Sequence, residues 1–248
     1  MEQLLSSYLP LASAAITFVF AAMVLKRWTR RRPSFLLLWG IGFLMYGVGG
    51  LMEAWFGFFG WSPLVFRLWY LFGAILVAAW LGQGTVYLLV RRTIGSVKVA
   101  HLLMALLAAG SLYAAFKVFS ADLDPALMLE GELSGGAITS SGIRVLTPFF
   151  NIYGVLMLVG GALYSAFVYW RERLMANRMV GNMFIAAGAM APAFGGAMQR
   201  SGVPVALYVG EFVGAVLMFI GFLYTVRPQS VASSRGPVAA VSSQTESQ

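Results

Sequence analysis

The 248-residue chain has no cysteine and a single histidine, His101. Without cysteine there is no disulfide, thiolate metal centre or cysteine nucleophile. One histidine cannot build, within one chain, a zinc site of several imidazoles or a haem held by two. No cofactor and no metal is therefore expected. Charge is also scarce. Only 10% of residues are Asp, Glu, Lys or Arg, 60% are hydrophobic, and mean hydropathy is +0.80. A soluble domain needs a polar exterior, so the solvent for most of this chain is lipid. The opening Met1-Glu2-Gln3 lacks a basic region, and the first apolar run is followed by Lys26-Arg27. That order does not suit a cleavable signal and suits a helix whose N-terminus stays outside.

Seven apolar runs reach the roughly 20 residues that a membrane span requires. They are 4–25, 35–55, 63–90, 99–119, 148–170, 179–198 and 204–226. The expected fold is thus all-α: an integral membrane bundle of seven transmembrane helices. Loop charge sets its direction. The first loop carries Lys26, Arg27, Arg30, Arg31 and Arg32, the third Arg91, Arg92 and Lys98, and the fifth Arg171, Arg173 and Arg178. Arg227 and Arg235 follow the last run. Thirteen of the 17 basic residues fall on one side. This predicts an N-terminus outside and a C-terminus in the cytoplasm, in a bacterial cytoplasmic membrane. The net charge of +8 follows from this topology. It is split among short loops, so no nucleic-acid partner is expected.

Four runs directed from outside to inside open near a proline: Pro10, Pro63, Pro148 and Pro204. Proline fits a first helical turn, where its missing N–H has no intrahelical partner, and Ser62 and Thr147 are expected as N-caps. The outer loop 120–146 holds Asp122, Asp124, Glu130 and Glu132 and has room for a short hairpin. The tail 227–248, rich in Ser, Ala, Val and Gln, reads as disordered.

The chain repeats itself. Aligning Pro63 with Pro204 sets Gly73-Ala74-Ile75-Leu76 against Gly214-Ala215-Val216-Leu217. Upstream, Gly49-Gly50-Leu51-Met52-Glu53 meets Gly195-Gly196-Ala197-Met198-Gln199. Spans 2–3 therefore match spans 6–7, and spans 1 and 5 share a direction. This three-plus-one-plus-three pattern implies a parallel internal repeat about an axis along the membrane normal. It resembles the plan of SWEET and PQ-loop transporters in helix count and symmetry. The Pro-Gln motif of the latter is absent, and no functional residue carries over. The layout also resembles the seven-helix sensor regions of bacterial receptor kinases, again in helix count and topology.

Five polar residues are candidates for a ligand site. Glu211 lies seven residues past Pro204, about 10 Å into the last span. A carboxylate at that depth is costly unless paired, hydrated or protonated. It serves either as a helix-bridging hydrogen-bond group or as a site for ligand or proton. The repeat sets Tyr70 opposite it, and Arg67 and Asn151 are within reach as partners. Glu53, near the end of span 2, is expected to pair with Arg67, near the start of span 3. Trp69, Leu76, Trp80, Gln83 and Tyr87 share a face of span 3, and the last three suit an inner cavity or plain packing. Pro192 is expected to kink span 6, and Gly210, Gly214 and Gly221 to admit a close neighbour to span 7.

Absences narrow the chemistry further. The last span has no lysine for a retinal Schiff base, both aspartates lie in the outer loop, and Ser140-Ser141-Gly142 has no histidine partner. An enzyme is not expected. The sequence points to a small-solute transporter or carrier with an outward-facing polar pocket. The alternative is a membrane sensor or accessory subunit that binds a ligand from outside and acts through a separate partner. Beyond lipid, the expected partners are a small molecule and either a partner membrane protein or further copies of the chain.

Overall fold

The computed structural model describes residues 2–92, 96–127, 133–139, 141–172, 176–203 and 205–226. Glu130, Glu132, Arg173, Pro204 and the 227–248 tail lie outside the described residues. Among those described, seven helices are long and apolar enough to cross a membrane, as a multi-pass membrane protein requires. The first two are α1 (Glu2–Arg31) and α2 (Ser34–Phe59). The third span is continuous but changes pitch: α3 (Pro63–Leu68), a π-helical segment (Trp69–Leu76), then α4 (Val77–Arg92). The rest are α5 (Val97–Ser120), α6 (Ser141–Arg171), α7 (Ala176–Arg200) and α8 (Ala206–Val226).

The helix ends follow local chemistry. Arg32 has φ 45° and is followed by Pro33, which ends α1. Gly60, at φ +81°, closes α2 with its N–H on the Phe56 carbonyl at 2.8 Å. Ser96 caps α5, its hydroxyl accepting from the Lys98 N–H at 3.2 Å. Pro63 takes the first helical position as expected. Pro10 and Pro148 do not. Both lie inside helices that start earlier, at Glu2 and Ser141. The amide that each lacks would have bonded a carbonyl four residues back, in the terminal section of the helix where polar surroundings are near. The helices can therefore run past both prolines. Thr147 is accordingly no cap, and Ser62 stands at the cap position without a side-chain bond.

Six spans form a closed ring in the order α1, α2, third span, α6, α7, α8 and back to α1. The fourth span, α5, stands outside this ring against the third. Its outer side is apolar, with Leu112 and Phe116 about 70% exposed (74% and 69%), as a lipid-facing surface should be. Inside the ring, nearer the end that carries the basic loops, an apolar layer closes the centre. It contains Phe20, Phe43, Leu81, Leu158, Met218 and Phe222. The Phe20 ring lies 3.8 Å from Phe43 and 5.2 Å from Phe222, centroid to centroid. At the opposite end the loop between α5 and α6 folds back over the third span. Leu123 and Ile138 form an antiparallel bridge there, and Leu133, Ala137 and Ile138 bury themselves against Phe66, Tyr70 and Leu71.

Glycine sets the tightest contact. α7 carries Gly181, Gly188 and Gly195 at seven-residue spacing, and α8 answers with Gly210, Gly214 and Gly221. A Cβ at Gly214 would fall 2.7 Å from the Gly188 carbonyl oxygen and 3.0 Å from Pro192. Only bare backbone allows this approach. Pro192 lies inside α7 as expected.

The ring's order of neighbours keeps its form when spans 1–3 are exchanged with spans 5–7. The packing register does not. In the first half Gly49 abuts Gly73, whereas their repeat partners Gly195 and Gly214 do not meet. Gly195 faces Ala206 and Leu207, and Gly214 faces Gly188. The second hairpin is thus displaced by about seven residues, roughly 10 Å along the helix.

Candidate functional site

The π-helical segment is the natural starting point. A widened turn leaves backbone groups out of the ordinary ladder and recurs at functional positions. Here Gly73 lies mid-segment with its backbone against Gly49 of α2, and a Cβ at Gly49 would come 2.9 Å from the Gly73 Cα. Asn151 of α6 donates its amide nitrogen to the Ala74 carbonyl at 3.0 Å, which satisfies an acceptor inside the irregular stretch. Trp69, the first residue of the segment, points its indole N–H at Glu53 Oε1, 2.7 Å away. Both side chains are buried.

Glu53 and Glu211 are neighbours. They descend from the same end of the bundle on α2 and α8, and their carboxyl groups lie within hydrogen-bond reach of each other. Two carboxyls can hydrogen-bond only with a proton between them. A proton held between them would relieve the repulsion of two adjacent carboxylates. Tyr46, two helical turns before Glu53 on α2, donates its hydroxyl to the Glu211 backbone carbonyl at 2.8 Å. This fixes α2 against α8 at the level of the pair. Among the described residues no three His, Asp or Glu side chains converge to hold a metal.

Glu211 lines a cavity of about 570 Å³ enclosed by the third span, α6, α7 and α8, with Tyr46 contributed by α2. Eleven residues separate Thr147 from Leu158, and likewise Leu207 from Met218, all of them lining residues. The cavity therefore extends about 16 Å at 1.5 Å per residue, near half the hydrocarbon thickness. Its character changes with depth. Thr147, Gln199 and Arg200 form the mouth. Glu211 and Asn151 come about a turn deeper. The floor is Leu81, Leu158 and Met218, members of the apolar layer. Pro148 and Ala193, on adjacent α6 and α7, line the cavity and are also exposed, so it reaches the surface between these two helices. A volume of this size suits a small organic molecule.

Of the five candidates, Glu211 and Asn151 line the cavity, and Glu53 stands behind Glu211. The other two are elsewhere. Tyr70 turns away, its hydroxyl 3.0 Å from Thr147 Oγ1 and its ring against Gly135 of the loop between α5 and α6. Trp69, one residue earlier, takes the inward position. Arg67 donates to the Ala121 carbonyl at the end of α5, 2.9 Å away. The donor found on Glu53 is Trp69, not the expected guanidinium. Arg67 instead ties the end of α5 to the third span. Gln83 is fully buried among spans rather than on a cavity wall. Its amide nitrogen donates to the Ala100 carbonyl at 2.9 Å, and Tyr153 donates to its oxygen. Trp80 donates to Ser111 of α5 at 3.2 Å.

Tyr46 and Arg200 complete the cavity without having been singled out by sequence. Tyr46 left a signal, since a spacing of seven puts it on the face of α2 that carries Glu53. Arg200 left one as well: with Arg67 and Arg144 it stands at the end where four helices begin, and that positive field reads in the sequence as favouring an anionic ligand. Comparison with protein-family models, with curated proteins and with solved structures yields no match.

Proposed function

We propose that the chain is a carrier for a small amphiphilic solute, oriented with its N-terminus outside a bacterial cytoplasmic membrane and its C-terminus in the cytoplasm. The observation that carries this reading is a half-depth cavity, polar at its mouth and apolar at its floor, with Glu211 in the wall and Glu53 in contact behind it. A solute with an apolar body and a positively charged or hydrogen-donating head complements that profile. The body fills the space above Leu81, Leu158 and Met218, and the head meets Glu211 below Arg200. The basic loops at the far end support the orientation. Under it the cavity faces outward and the apolar layer is its closed gate. The carboxyl pair then supplies a proton that a cationic head displaces on binding, which couples solute to proton.

The test is binding first and transport second. In nanodiscs, hexylamine should raise the melting temperature, hexanol less so and hexanoate least. Glu211→Gln should keep the fold, being nearly isosteric, and reduce amine affinity at least tenfold. Equal responses to the three probes, or an unaltered Glu211→Gln protein, would remove the carrier site. Uptake of labelled amine into proteoliposomes then decides the mode of action. Binding without uptake favours the second reading, a membrane sensor that acts through a partner, which the sealed floor of the cavity also suits.

A further inference from the structure

A second, smaller cavity opens at the other end of the same ring. It measures about 130 Å³ and lies between α1, α2, α4, α6, α7 and α8, on the basic side of the apolar layer. Two arginines from different helices converge on it, Arg27 of α1 and Arg178 of α7. They are close enough to repel one another, and Arg31 adds to the same field. Neither is extended into solvent, for both are partly buried. The Arg178 guanidinium stands 6.0 Å from the centre of the Tyr169 ring, which holds it in place over the opening. The remaining polar wall is neutral: Ser165, Asn182 and Thr225. Among the described residues, none that lines it is acidic.

Two like charges held together in a partly desolvated pocket with no lining carboxylate are unfavourable on their own. Folding tolerates them where an anion completes the set. Guanidinium is the group best shaped to grip tetrahedral oxyanions, by paired N–H···O bonds. The Ser165 hydroxyl and the Asn182 amide can donate to further oxygens, while the Thr225 hydroxyl is engaged with the Phe222 carbonyl at 2.8 Å. The volume equals the share of about four waters, so it holds one phosphate-sized group and not a nucleotide. The site is built on different residues from the larger cavity and stands whether or not the carrier reading does.

We infer that Arg27 and Arg178 form a binding site for a phosphate-class anion at the basic end of the ring. Either a free phosphate compound or the phosphodiester of an anionic lipid presents this chemistry. The interior position, ringed by six helices, makes the free anion the better fit.

The experiment uses the full chain in nanodiscs of phosphatidylcholine alone, titrated with inorganic phosphate against chloride at matched ionic strength. Phosphate should raise the melting temperature in a saturable way. Arg178→Gln and Arg27→Gln should each weaken that response at least tenfold, and Arg30→Gln, outside the pocket, should not. Arg178→Lys keeps charge without the paired geometry and should fall between, so the series remains readable if one glutamine variant fails to fold. A parallel set of discs containing phosphatidylglycerol, examined by native mass spectrometry, identifies the lipid source. Retention of the anionic lipid by wild type and its loss in the pocket variants, with no phosphate response, assigns the site to a lipid. Absence of both effects, or equal behaviour of Arg30→Gln and Arg178→Gln, overturns the inference.

Discussion

Removing the Trp69 indole N–H tests the buried heart of the site. The bond to Glu53 Oε1 is 2.7 Å long, and the two side chains are only 6% and 3% exposed. Trp69 lines the cavity but Glu53 does not, so a cavity water replaces the lost donor poorly. A hydrogen bond to a charged or proton-sharing carboxyl contributes about 1.5–3 kcal/mol, and Trp69→Phe should cost at least that while leaving most of the ring volume in place. Glu53→Met should cost a similar amount, since it strands the indole N–H and breaks the contact with Glu211. The double variant strands neither member of the bond. Its loss should fall short of the sum of the singles by about 1.5–3 kcal/mol. Glu211 is present in all four proteins, so its own interactions largely cancel. The assay is reversible unfolding in mixed micelles of rising dodecyl sulfate fraction, with near-ultraviolet circular dichroism as the signal. A second cycle with Arg67→Gln in place of Trp69→Phe should give coupling near zero, because Arg67 is engaged with Ala121. Additive losses in the first cycle, or strong coupling in the second, would refute the arrangement around Glu53.

Gly214→Ala should lower stability by about 1–3 kcal/mol in the same unfolding assay, because its Cβ lands 2.7 Å from the Gly188 carbonyl oxygen. Gly160→Ala meets nothing within 4 Å and should be stabilising, by up to about 1 kcal/mol, through helix propensity alone. Gln83→Leu should cost about 1–3 kcal/mol, as it strands the Tyr153 hydroxyl and removes a second donor from the Ala100 carbonyl, yet it should leave ligand response at the large cavity unchanged. For orientation, alkaline phosphatase fused after the last span should be inactive and a fluorescent protein there should glow. An active phosphatase fusion would reverse the topology and turn the large cavity toward the cytoplasm.

The number of spans was legible because the requirement for about 20 apolar residues is a sum over a window and tolerates local error. The ends were not, because a proline marks a helix start only where the chain has no reason to form an earlier turn. Pro10 and Pro148 show the difference from Pro63. The hairpin of spans 2 and 3 was legible from its short loop. The choice between Trp69 and Arg67 as donor to Glu53 was not, since both lie on the opening turns of the third span and both can donate. The largest loss came from the π-helical segment. A stripe drawn at constant helical pitch does not survive a change of pitch within the third span. One extra residue in a turn rotates everything after it by about 100°. Trp69 therefore faces Glu53, while Trp80 and Gln83, expected on its stripe, face α5 and α6. No feature of Trp69–Leu76 read in isolation announces the change. It coincides with backbone contact between Gly73 and Gly49, a tertiary feature.

The two glycine motifs, ending in Glu53 and in Gln199, place their polar residues in different surroundings, and the charge is on the buried one. Gln199 stands in the cavity mouth beside Arg200, where hydration would make a carboxylate inexpensive. Glu53 lies within the bundle, where a carboxylate is costly and persists only with a donor and a proton-sharing partner. Packing alone would have favoured the reverse assignment. Retaining the acid at the expensive position makes sense if its proton is used, and Glu211, with one side toward Glu53 and the other toward the cavity, is the group through which a bound solute would reach it. Gln199→Glu should then be tolerated with little loss of stability, while Glu53→Gln, which keeps an acceptor for Trp69, should preserve the fold and abolish any proton release on amine binding. Proton release measured in weakly buffered nanodiscs decides it, and undiminished release from Glu53→Gln would leave the buried acid with a structural role only.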